Sequence, residues 1–135
     1  MNYIIAFFIL IFCAFGSHSL VNASEPNSNY EPRSEIRFYK INKDGITQKI
    51  LFNKRKARKP GCHNFMKRVR LHRTVQIAFK RCQVFSEKEC ASESVVLFHK
   101  KKEPDLHSNT LTQGYGWYPV GEHPRGEKVK SWLCE

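Results

Sequence analysis

The chain has 135 residues, and 23 Lys and Arg against 12 Asp and Glu give it a formal charge of +11. That length leaves room for one small domain and excludes a multidomain enzyme. A charge this large points to anionic partners, whether nucleic acid, an acidic membrane surface or a polyanionic glycan, with solubility as the plain alternative.

Residues 1–23 read as a secretory signal peptide. The apolar run over 3–15 is too short to span a bilayer comfortably, and Val21-Asn22-Ala23 fits the small-x-small cleavage pattern. No charged residue falls in this leader, so the whole +11 belongs to the mature chain. Cys13 leaves with it. The remaining four cysteines, Cys62, Cys82, Cys90 and Cys134, read as two disulfides of open connectivity in a small secreted protein. Zinc is not expected, because Cys-x-x-Cys spacings are absent. Residues 24–34, SEPNSNYEPRS, are polar and hold two prolines, so a flexible arm is expected. The sequon Asn22-Ala23-Ser24 straddles the cleavage point and is expected to stay unused.

A single domain is expected over 35–135. Ile36, Phe38 and Lys40 alternate with Arg37, Tyr39 and Ile41, the pattern of a strand with one buried face. Asn42-Lys43-Asp44-Gly45 then makes a tight turn, since glycine takes φ > 0 without steric cost, and 46–52 returns as the second strand of a hairpin. Residues 53–60 (NKRKARKP) read as a basic loop that Pro60-Gly61 turns into Cys62.

The rest of the chain is organised around 61–90, which holds three of the four cysteines. Val75, Ile77 and Phe79 lie two apart, and 82–85 alternates before the polar turn 86–89. An apolar strand over 94–99 is expected to pair back on 82–85. A charged loop covers 100–105. Residues 111–126, rich in Gly, Pro and aromatics, are expected to be irregular but packed. A half-buried strand over 128–134 closes on Cys134. Many short strands at regular spacing argue for an all-β sandwich.

Gly61-Cys62-His63-Asn64-Phe65, the Cys82-x-Val84-Phe85-Ser86 stretch with Cys90 beyond it, and the terminal Val129-Lys130-Ser131-Trp132-Leu133-Cys134 together resemble the small secreted proteins with a βγ-crystallin-like fold of fungi and bacteria. That family repeats a Greek key whose first hairpin carries an aromatic and, a few residues later, a glycine. Phe38 or Tyr39 with Gly45 fits the first repeat. Phe85 to Ala91 fits the second, with Ala91 where glycine is usual. The resemblance, over 35–134, implies an all-β molecule of two Greek-key motifs forming a small disulfide-bonded β-sandwich. It also implies bridges Cys62–Cys134 and Cys82–Cys90, with Cys62–Cys82 and Cys90–Cys134 as the alternative. Many members bind calcium, but the matching positions 126–131 and 66–71 carry Lys128, Lys130, Lys67, Arg68 and Arg70 among them. These cations would repel the metal, so no metal and no cofactor is expected.

Three kinds of candidate functional residue compete with plain structural roles. Lys54, Arg55, Lys56, Arg58 and Lys59, with Arg68 and Arg70, form a basic patch suited to a polyanion, to nuclear localisation after entry into another cell, or, after Arg55 or Arg58, to proteolytic processing. Alternation places Arg68 and Arg70 on one strand face, with Val69 and Leu71 opposite, and 99–102 adds another basic strip. Glu122, His123 and Arg125, with His63 or His72, form the constellation a ribonuclease would need; surface histidines are the plainer reading. Tyr115, Trp117, Tyr118 and Trp132 suit ligand stacking, but core packing explains such residues more simply. The expectation is a secreted, non-enzymatic binding protein, effector-like and acting on a host or neighbouring organism. Its partner would be a protein or polyanion outside the producing cell. The alternatives are a cationic antimicrobial or killer-type toxin acting on anionic membranes, and a secreted ribonuclease that would contact nucleic acid.

Overall fold

The Asp44-Gly45 turn closes a hairpin where the sequence places one. Gly45 takes φ +79°, and β1 (Glu35–Ile41) pairs antiparallel with β2 (Thr47–Lys49) from Ile41↔Thr47 onward. Asn42 holds the turn: its Oδ1 accepts from the backbone N–H of Asp44 at 2.9 Å and of Ile46 at 2.8 Å. This fold is that of a computed structural model, which describes residues 33–135 apart from the side chain of Tyr115. The expected signal peptide, and the expected arm but for its last two residues, lie outside the described residues.

The basic loop contains a single helical turn, α1 (Lys54–Ala57), started by Asn53 Oδ1 accepting from Arg55 N at 2.9 Å and anchored by buried Ala57. Seven further strands follow: β3 (Gly61–Leu71), β4 (Arg73–Ile77), β5 (Cys82–Phe85), β6 (Phe98–Lys100), β7 (Glu103–Ser108), β8 (Gly114–Pro119) and β9 (Glu127–Cys134). They form a six-stranded sheet, β2-β1-β4-β8-β6-β7, and a three-stranded sheet, β3-β9-β5. Every neighbouring pair is antiparallel. Only His72 separates β3 from β4, so the chain crosses from one sheet to the other at that corner. The described chain is thus nearly all β, in two sheets with two disulfides.

Three expectations about the strands need correcting. The apolar strand over 94–99 shrinks to β6, whose partners are β7 and β8. Contact with β5 survives only as the Phe85↔Val95 bridge and the Val96 N–H donated to Val84 O. The charged loop over 100–105 is in fact a hairpin, because Glu103 already pairs with Lys100. The stretch expected to be irregular contains β8, an interior strand between β4 and β6. Its glycines hide it from propensity, yet it is paired on both sides, with β4 and with β6; strand formation reflects such context more than backbone preference.

The two sheets meet in an aromatic cluster. Trp132 of β9 lies 4.6 Å from Phe65 of β3, 5.3 Å from Phe38 of β1 and 5.1 Å from Phe52, ring centre to ring centre. Such tilted and edge-on contacts add to what burial alone contributes.

The cysteines pair as Cys62–Cys90 and Cys82–Cys134, not as Cys62–Cys134 and Cys82–Cys90, nor in the alternative arrangement. The reason is register. β9 lies between β3 and β5, and Cys134 stands directly opposite Cys82, with Cα atoms 4.1 Å apart. Cys62 instead stands opposite Leu133, so strand alternation turns it to the other face. Cys82 and Cys134 are buried, whereas Cys62 is exposed and bonds to Cys90. The turn carrying Cys90 holds two consecutive left-handed residues, Glu89 at φ 59° and Cys90 at φ 51°.

Candidate functional site

Between Asn64 and Val69 the β3–β9 ladder loses register: five steps along β3 answer two along β9. Bulges of this kind re-aim side chains. Met66, Lys67 and Arg68 stand exposed, while Phe65 is in the core and Val69 packs against it. The segment after β2 behaves similarly. Ile50 is buried, with its N–H donated to Phe38 O at 2.8 Å, Leu51 points outward, and Phe52 returns to the core.

These two segments line one open cleft of about 1500 Å³, together with His123, Pro124 and Arg125 ahead of β9. Seven cations line it: Lys40, Lys49, Lys56, Lys67, Arg68, Arg70 and Arg125, with His123 beside them. No Asp or Glu does. Phe52, Phe65 and Trp132 supply aromatic lining, and the buried indole N–H of Trp132 has no hydrogen-bond partner among the described residues. Buried donors of this kind normally find a partner in protein or ordered water.

Carboxylates neutralise part of this charge from outside the cleft. Glu35 lies 2.8 Å from Arg37 and 3.5 Å from Lys49, and the Arg37 hydrogen bond holds its carboxyl below the usual range. Glu87 pairs with Lys130 and, at 3.8 Å, with Arg68; the Lys130 hydrogen bond likewise lowers its carboxyl. Arg70 Nη1 donates to Gly126 O at 2.9 Å. Lys40, Lys56, Lys67 and Arg125 make no salt bridge among the described residues. Unmatched cations around a walled concavity focus a positive potential.

Of the basic patch read from sequence, Lys56, Arg68 and Arg70 line the cleft. Lys54, Arg55, Arg58 and Lys59 are exposed outside its lining, and the charge of Arg58 acts instead on Glu35. Lys40, Lys49, Lys67 and Arg125 were not in that patch. One signal for Lys40 was available: it shares the strand face of Ile36 and Phe38, where an apolar residue would continue the pattern. The basic strip over 99–102 lies at the β6–β7 hairpin, away from the cleft lining.

The histidine constellation is not gathered. His123 and Arg125 line the cleft, with His123 Nδ1 accepting from Arg125 N at 3.1 Å. His63 packs 5.4 Å from the Trp132 ring, and His72 sits 5.5 Å from the Tyr118 ring at the β3–β4 corner. Burial, and then the charge of Arg73, pushes His72 below its ordinary pKa. Trp117 and Trp132 are buried, which is the packing role expected of them. Among the described residues no group of three or more His, Cys, Asp or Glu is placed to hold a metal ion. No helix among them is long and apolar enough to cross a membrane.

No family model matches the chain, and no curated protein or solved structure is significantly similar to it.

Proposed function

We propose that the chain is a secreted, non-enzymatic binding protein whose cleft takes an anionic partner outside the producing cell, in the manner of an effector acting on a host or neighbouring organism. One observation carries the reading: seven Lys and Arg, and no carboxylate, line a single concavity. Two disulfides support the placement in an oxidising compartment. The antiparallel two-sheet architecture and the Asp44-Gly45 hairpin support the finer reading as a double Greek key of the βγ-crystallin-like kind.

The test is a salt titration of binding to heparin, a soluble polyanion. Affinity should fall linearly with the logarithm of salt concentration, because binding releases condensed counterions. Replacing Lys40, Lys56 and Lys67 together by Gln should weaken binding and flatten that slope. Unchanged binding in the triple variant would move the anion site out of the cleft.

A further inference from the structure

Two side chains at the cleft are apolar, large and unused by the fold. Met66 is 100% exposed and Leu51 88%, against 64% for Leu106 and 59% for Ile46 elsewhere on the described surface. Both line the cleft. Their exposure is imposed by the backbone: Leu51 is flanked by core residues Ile50 and Phe52, and Met66 follows buried Phe65 on the β3 bulge.

We propose that this rim docks on an anionic lipid bilayer, with Leu51 and Met66 entering the interface while the surrounding cations meet headgroup phosphates. The inference rests on the reading of the cleft as an anion site and names its partner. Charge complementarity is the first argument, since the cleft is lined by cations without a carboxylate. The second is the kind of apolar surface on offer. Single-stranded nucleic acid is held by open aromatic rings on which bases stack, and here Phe65 and Trp132 are sealed at 5% and 1% exposure while the third ring, Phe52, is partly buried and packed against the core. What projects is aliphatic and flanked by Lys67 and Arg68. Buried apolar side chains combined with attraction to anionic lipid are what hold a peripheral protein on a bilayer.

The experiment uses the folded chain and its Leu51→Ser/Met66→Ser variant, which changes no charge and touches only exposed positions. Each is sedimented with vesicles of phosphatidylcholine plus phosphatidylglycerol and with vesicles of phosphatidylcholine alone, and each is titrated with heparin and with single-stranded RNA. The native chain should bind the mixed vesicles and not the neutral ones. The variant should lose about tenfold or more in partitioning to mixed vesicles and keep its heparin affinity. Mixed-vesicle binding that is equal in both proteins overturns insertion by Leu51 and Met66. Binding to heparin or RNA with none to vesicles overturns the bilayer as partner and leaves the anion site standing. Failure with all of these probes removes the anion site itself.

Discussion

The β3–β9 ladder is fastened at its two ends by different means. At the Gly61↔Cys134 end both disulfides converge, joining Cys134 to β5 and Cys62 to the turn at Cys90. Trp132 there sits among Phe38, Phe52 and Phe65. At the Leu71↔Glu127 end there is no covalent link. Gly126, at φ +86°, comes so close to the Leu71 carbonyl that a Cβ would overlap it, and Arg70 donates to the Gly126 carbonyl. The bulge carrying Met66, Lys67 and Arg68 lies between. One end resists unfolding mainly through the restricted unfolded chain and a buried core, the other through close approach of backbones.

The largest expected effect tests the covalent end. Cys82 and Cys134 are 52 residues apart in sequence, and loop closure over that distance is worth about 4 kcal/mol. Both residues are also buried, so Cys82→Ala/Cys134→Ala should cost more than closure alone, read as a shift in the urea midpoint. Cys62 and Cys90 are 28 residues apart, for which closure alone gives about 3.5 kcal/mol. Chain entropy therefore hardly separates the two bridges; burial must. The exposed bridge should cost less than the buried one, close to its closure value of about 3.5 kcal/mol for Cys62→Ser/Cys90→Ser, with faster amide exchange at Glu89 and Cys90. The Asn64–Glu89 hydrogen bonds and the Ser131 hydroxyl, which accepts from Cys90 N, would still hold the turn in part. Equal losses from the two double variants would break the distinction between a core bridge and a surface one.

The open end is probed by Gly126→Ala. The added Cβ meets backbone, not a flexible side chain, and the left-handed φ disfavours any other residue. A loss of about 1–3 kcal/mol is expected, read by chemical denaturation. Because Arg70 and Arg125 flank this contact, heparin affinity should fall as well. A variant as stable as the native chain would mean that the ladder is held from the disulfide end alone.

What was legible in the sequence was local. The Asp44-Gly45 hairpin needs only its own residues, and β9 announces itself through Val129, Trp132 and Cys134, all of which reach the core. The disulfide pairing was not legible, because it depends on β9 lying between β3 and β5 and on Leu133, not Cys134, facing Cys62. β8 was hidden for a related reason: Gly114, Gly116 and Pro119 read as irregular until neighbouring strands surround them. The candidate site divides in the same way. Lys56, Arg68 and Arg70 stand out within basic runs, whereas Lys40, Lys49 and Arg125 join them only because separate segments converge on one cleft. Met66 precedes Lys67 and Arg68 in sequence without any mark of exposure; the bulge is what leaves it fully exposed.

The smallest expected effect concerns pH at the same open end. His72 is the corner residue between β3 and β4, its N–H donated to Tyr39 O at 2.8 Å and its ring against Tyr118. Burial and the adjacent Arg73 lower its pKa in the folded chain. The unfolded chain therefore takes up the proton first as pH falls, from about pH 6.5 downward, and proton uptake by the unfolded state lowers stability. Stability present at neutral pH is thus lost on acidification through this window, before the lowered carboxyls of Glu35, Glu87 and Glu135 begin to titrate. His72→Gln removes the titrating group, so the fall in thermal midpoint between neutral pH and about pH 5 should be shallower in the variant. Because the corner lies next to Leu71, the same variant reports on which end yields first. If the corner opens ahead of the disulfide end, acid should speed amide exchange near Leu71 and Glu127 in the native chain before it does so near Trp132. Uniform acceleration along the ladder would show that the two ends unfold as one unit.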